Sequence, residues 1–164
     1  MENRELLLAL AGVAATFIGF AGVVFAVDRS SHRGVSAPER TALLHLLLPS
    51  IVVLFFAFVP VVLSARVGSH NADWRLANGL LCAVHLALIA NATRAAMRSR
   101  LLEPIPLRFL LIPGGYLAVA ANAAVVLGFL QDYGAVVYLG GLVWFLFVSA
   151  VQFVMLIFLH TDAI

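Results

Sequence analysis

The residues with the most chemical capacity in this chain stand inside an apolar stretch. In "RLANGLLCAVHLALIANATR", residues 75 to 94, Asn78, Cys82 and His85 are spaced four and then three apart. That spacing puts an amide, a thiol and an imidazole on one helix face, and Asn71 and Arg75 extend the same face backward. At ~1.5 Å rise per residue His85 lies ~16 Å from Trp74, near the midplane of a bilayer whose edge Trp74 marks. Asn122, Ser149 and Gln152 interrupt two later apolar runs. The six side chains form a candidate polar seam. It suits either hydrogen bonding between helices, worth ~0.6 kcal/mol per bond on average, or the lining of a pore built from amides, hydroxyls and backbone in place of charge rings.

Metal chemistry has a narrower base. His45 and His85 stand in successive apolar segments, and two imidazoles of tilted helices could hold one haem from opposite faces. No second histidine pair and no CxxCH motif accompanies them. Cys82 and His85 at i, i+3 offer two soft ligands without an obvious third. The expectation is therefore no metal and no cofactor, with haem on His45 and His85 as a minor alternative.

Enzymatic chemistry has less support still. All ten basic residues are arginine, so neither a Schiff-base lysine nor a phosphate-loop lysine is available. GxSxG, HExxH and Gly-rich phosphate loops are absent from the sequence. No carboxylate pair lies within an apolar segment, so a carboxylate relay for proton pumping is missing, and no repeated arginine forms a voltage sensor. The chain reads as a non-enzyme. Its net charge of +2 is too small to suggest nucleic acid as a partner.

These side chains must be positioned by helices in lipid. Of 164 residues 63% are hydrophobic and 11% charged, whereas soluble domains are about one-quarter charged. Mean hydropathy is +1.07. Crossing ~30 Å of hydrocarbon takes ~20 apolar residues. Five segments qualify, and the reading is an all-α integral membrane protein: a single bundle of five transmembrane helices over about 6–27, 37–65, 72–100, 107–130 and 135–160, joined by short loops. The first is too long for a signal-peptide core and follows "MENRE", so it is read as a mature helix. The single cysteine permits no intrachain disulfide.

Arginine placement sets the expected orientation. Arg29, Arg33, Arg40, Arg94, Arg98, Arg100 and Arg108 fall on one side and Arg4, Arg66 and Arg75 on the other, which favours an outside N-terminus and a cytoplasmic C-terminus in the inner (plasma) membrane. The cytoplasmic arginines would meet anionic lipid headgroups. Ser36-Ala-Pro-Glu39 has capping-box spacing and starts the second helix near Ala37. Asn71 is the expected N-cap of the third. Trp74 and Tyr133 mark an outer aromatic belt. Pro104 and Pro106 close the turn after the third helix.

Two further patterns concern packing. In the first helix Gly12, Ala15, Gly19, Gly22 and Ala26 recur at spacings of three and four, a stripe of low volume along which another helix can lie close. Its expected use is a contact with a later helix of the same chain, with a subunit interface or a pore lining as the alternative. Pro49 and Pro60 make the second helix a candidate hinge. The glycines of "PGGY" and Gly140 and Gly141 mark a flexible entry or close approaches. Together these features lead to a homo-oligomeric channel for small ions or solutes as the expectation. A non-conducting accessory or scaffolding subunit is the alternative.

Overall fold

The structure, a computed structural model, describes residues 2–30, 37–65, 70–98 and 105–161, with side chains for 4–26, 40–65, 72–94, 97 and 110–158. The described residues form α1 (Glu2–Ser30), α2 (Ala37–Phe56), α3 (Val59–Ser64), α4 (His70–Arg98), α5 (Ile105–Val126), a 3-10 turn (Gln131–Tyr133) and α6 (Gly134–Thr161), with no strand among them. Four stretches, Arg4–Ala26, Arg40–Ser64, Ala72–Arg94 and Gln131–Phe158, are long and apolar enough to cross a membrane, and Leu110–Val126 is a shorter apolar helix. The expected five full-length spans thus appear as four and a shorter fifth.

Helix boundaries differ from the sequence reading where local chemistry overrides periodicity. The second segment is interrupted at Ala57 and Phe58, and Pro60 sits buried in the first turn of α3. Proline has no N–H for the carbonyl four residues back, and its ring crowds that carbonyl, so helix α2 ends at Phe56. Pro49 is also buried but lies within continuous α2. Of the two hinge candidates, only Pro60 coincides with a break.

The fourth segment stops at Val126, short of the expected 130. Gly128 adopts φ +93°, its N–H reaches Val125 O at 3.1 Å, and Phe129 N–H reaches Ala124 O at 2.9 Å. This is a Schellman closure, which needs the left-handed conformation that glycine adopts without a Cβ penalty. At its other end α5 starts at Ile105, placing Pro106 in the first turn, where a missing N–H removes no helical bond. α2 begins at Ala37, where the capping box puts it, although Ser36 itself lies outside the described residues. Asn71 falls within α4 instead of capping it.

The chain divides into two compact units, Met1–Ala57 with Phe145–Ile164, and Phe58–Trp144. In the first, α1 packs on α2. Ala21, Ala42, Leu43, Leu46 and Leu156 form a buried cluster with Phe17, Val24, Leu47 and Phe153 against it. The Phe153 ring meets Phe20 edge-on at 4.5 Å, a favoured aromatic geometry. The buried face of α1 is Leu7, Ala11, Ala14 and Ala21. Gly12, Ala15, Gly19, Gly22 and Ala26 are all exposed, and a Cβ built on Gly12, Gly19 or Gly22 meets nothing within 4 Å. Within its own unit the small-residue stripe is thus left open, and the contact expected of it with α2 is not made there. Both faces of α1 carry alanine at helical spacing, and the bulkier one, anchored by Leu7, is the one buried.

In the second unit α4 packs on α5 and on α3. Gly114 faces the Trp144 indole, Gly115 faces Ile89, and Gly141 faces Leu81 and Asn122. The "PGGY" glycines are thus points of close approach inside a continuous helix, not a flexible entry. Gly141 is another such point, whereas Gly140 has nothing near it. Arg75 reaches from α4 to donate to Val126 O at 2.7 Å, which satisfies a carbonyl that the end of α5 leaves unpaired. Trp74 is buried, edge-on to Tyr138 at 5.8 Å. Tyr133 is exposed, so only one of the two expected belt aromatics faces outward.

Candidate functional site

The polar seam is built separately in the two units. Asn78, Cys82 and His85 share a face of α4 and, with Asn122 of α5, belong to the second unit; Ser149 and Gln152 belong to the first. Asn78, His85, Asn122, Ser149 and Gln152 are buried, and Cys82 is partly so. Burial without solvent leaves hydrogen bonding to other protein groups as the way to offset lost hydration.

In the second unit Asn78 spends both amide hydrogens on backbone. Its Nδ2 donates to Trp74 O of its own helix at 2.8 Å and to Gly134 O at the start of α6 at 2.9 Å. The second bond ties two helices together at the end of the unit that carries Trp74. Asn122 Nδ2 donates to Ala118 O one turn back at 2.7 Å, and its amide packs where Gly141 gives room. The Cys82 thiol approaches Val119 O at 3.6 Å, a weak sulfur hydrogen bond across the α4–α5 pair. Farther along that pair, Thr93 Oγ1 donates to Ile89 O at 2.8 Å and lies 3.3 Å from the Tyr116 hydroxyl.

In the first unit Ser149 meets a partner that the sequence reading did not include. Ser50 is fully buried; its hydroxyl lies 2.8 Å from Leu46 O and 3.0 Å from Ser149 Oγ, which itself lies 3.2 Å from Leu46 O. Two hydroxyl hydrogens are thus shared among three contacts to two acceptors, Leu46 O and Ser149 Oγ, just past Pro49, where proline has already removed one backbone donor. The signal available in sequence was "PS" inside an apolar run. A serine after a proline in lipid is well placed to restore hydrogen bonding near the interruption.

The remaining candidates are dispersed. His45 is half-buried in α2 of the first unit, while His85 lies in α4 of the second. Among the described residues no group of three or more His, Cys, Asp or Glu could hold a metal ion. Arg40 and Arg94 are exposed; Arg33 and Arg100, and the side chains of Arg29, Arg98 and Arg108, lie outside the described residues. The arrangement contains amides, hydroxyls, one thiol and the His85 imidazole, and its hydrogen bonds join α4 to α5 and α6, and α2 to α6. Set against known protein families, curated proteins and solved structures, the chain matches none.

Proposed function

We propose that the chain is a membrane-embedded helical bundle of the accessory or scaffolding kind, working by helix association and not by conduction. The carrying observation is the burial of the polar seam: Asn78, His85, Asn122, Ser149 and Gln152 have almost no exposed surface. A pore on the symmetry axis of a closed ring needs polar groups on the outer face of each copy. Here the outer faces carry Leu8, Phe25, Phe55, Leu117 and Phe158, which suit lipid. The exposed stripe of α1 is where another helix can approach most closely, and a second copy of this chain is the simplest partner.

The reading includes five crossings. α5 runs Ile105–Val126, and 22 residues at ~1.5 Å each span ~33 Å, enough for the hydrocarbon core. The N-terminus then lies outside and the C-terminus in the cytoplasm of the inner (plasma) membrane, with Arg40 and Arg94 toward anionic headgroups. A reporter active only in the cytoplasm should give signal when fused after Ile164 and none when fused before Met1; the reverse pattern overturns the orientation.

Non-conduction is tested in liposomes. Purified protein should pass potassium, sodium, chloride and glycerol no faster than protein-free vesicles between pH 5 and 8. Flux that depends on protein and is abolished by Asn78→Leu would restore the channel reading in place of this one.

A further inference from the structure

We infer that the turn between α5 and α6 is a lipid-binding element, with Leu127 and Phe129 inserted among acyl chains at the Trp74 end of the second unit. The inference rests on the membrane-embedded reading proposed above. Between the apolar stretches Leu110–Val126 and Gln131–Phe158 stand only Leu127, Gly128, Phe129 and Leu130. No polar side chain is among them. Leu127 is 70% and Phe129 80% exposed, whereas turns that face water draw on Asn, Asp, Ser and Pro beside Gly. The surface this turn offers is apolar.

The backbone is prepared for the same surroundings. The last four carbonyls of a helix lack a partner within it and ordinarily turn to water. At the end of α5 all four are taken up by the protein. Ala123 O accepts from Leu127 N–H at 2.9 Å, Ala124 O from Phe129 and Leu130 N–H at 2.9 and 3.3 Å, and Val125 O from Gly128 N–H at 3.1 Å. Val126 O accepts from the Arg75 guanidinium at 2.7 Å. Water would satisfy these groups unaided, but beside lipid an open carbonyl has no partner, so internal closure is what contact with acyl chains demands.

Depth is set by the neighbouring α4. Val126 Cγ2 lies 3.6 Å from the point that a Gly79 Cβ would occupy, while Gly134 lies against Trp74 and its carbonyl accepts from Asn78. Both ends of the turn therefore stand level with residues 74–79. The apolar stretch of α4 already begins at Ala72, so Gly79 is ~10 Å inside it at ~1.5 Å per residue. The bonds from Phe129 and Leu130 to Ala124 O fold the turn back over the end of α5, which keeps it from rising clear of that level. Interfacial segments bury their apolar side ~5–10 Å into the boundary between headgroups and acyl chains, and the turn matches that depth. Gln131 and Asp132, both exposed, follow directly and hold the element at this boundary, because a carboxylate is costly deeper in.

Spin labelling in phosphatidylcholine vesicles tests the assignment. The background is Cys82→Ser, whose hydroxyl can keep the contact to Val119 O. One nitroxide is attached at Phe129→Cys, and a second, in a separate variant, at Leu117→Cys within α5, 72% exposed, as the reference for membrane embedding. Collisions with oxygen, which concentrates in lipid, are compared with collisions with a water-soluble nickel chelate. Both labels should meet oxygen several-fold more readily than nickel. Oxygen preference at Leu117 with nickel preference at Phe129 overturns the inference and leaves the membrane reading standing. Nickel preference at Leu117 overturns both. A Phe129 label shielded from both reagents shows a protein partner over the turn, a second copy of this chain included, and overturns the lipid assignment.

Discussion

Gly114→Leu should destabilise the second unit by ~1–3 kcal/mol, while Gly140→Leu leaves it unchanged. A Cβ on Gly114 would stand inside the Trp144 indole, with three ring carbons crowding it. The bulky partner is a rigid bicycle, so relief requires moving α5 or turning Trp144 out of its site. Next to it, a Cβ on Gly115 would come within 2.7 Å of Ile89 Cδ1, so rotating α5 to free one glycine presses the other against α4. Gly140 adds the same side chain to the same unit at an exposed position with nothing within 4 Å. Cys82, the single thiol and partly buried in this unit, is a built-in reporter. Thermal unfolding followed by a thiol-reactive dye should show a lowered midpoint for Gly114→Leu and a wild-type midpoint for Gly140→Leu. Equal midpoints for the two variants would remove the close-approach account of the glycine pair.

How much of this was legible in the sequence depends on the range of the interaction involved. Helical, lipid-compatible segments follow from composition and run length, both local, and they recur in the structure with small shifts. The start of α2 at Ala37 is likewise local, since proline at N2 and a nearby acid favour a helix start. The shared face of Asn78, Cys82 and His85 follows from helical period alone. What periodicity does not carry is which of two similar faces is turned inward. On α1 the stripe at 12, 15, 19, 22 and 26 and the face at 7, 11, 14 and 21 both read as close-packing surfaces, and α2 covers only the latter. The pairing of Ser50 with Ser149, 99 residues apart, is a long-range fact that no spacing rule reaches. The break after Phe56 and the Schellman turn at Gly128 were marked by a proline and a glycine, but apolar runs concealed them. The division of the seam between two units depends on tertiary contacts throughout.

Gly19→Leu should leave the folded chain as stable as the wild type and abolish its self-association. Gly19 lies on the exposed stripe of α1 with no atom within 4 Å of an added Cβ, so no overpacking arises within the chain. Helix association in lipid, by contrast, depends on dispersion contacts and close backbone approach, because hydrophobicity supplies no force between helices there. A leucine at the centre of the stripe holds a partner helix away over its neighbouring turns, and a loss of ~1.4 kcal/mol already lowers association tenfold. Val13→Leu provides a control, since Val13 is exposed on α1 outside the stripe and already branched. The measurement that bears most directly on the account is particle mass in lipid discs at matched protein-to-lipid ratio. The account predicts oligomers for the wild type and Val13→Leu, and monomers for Gly19→Leu with an unchanged Cys82 unfolding midpoint. A monomeric wild type, or a Gly19→Leu variant with the wild-type mass, would contradict it.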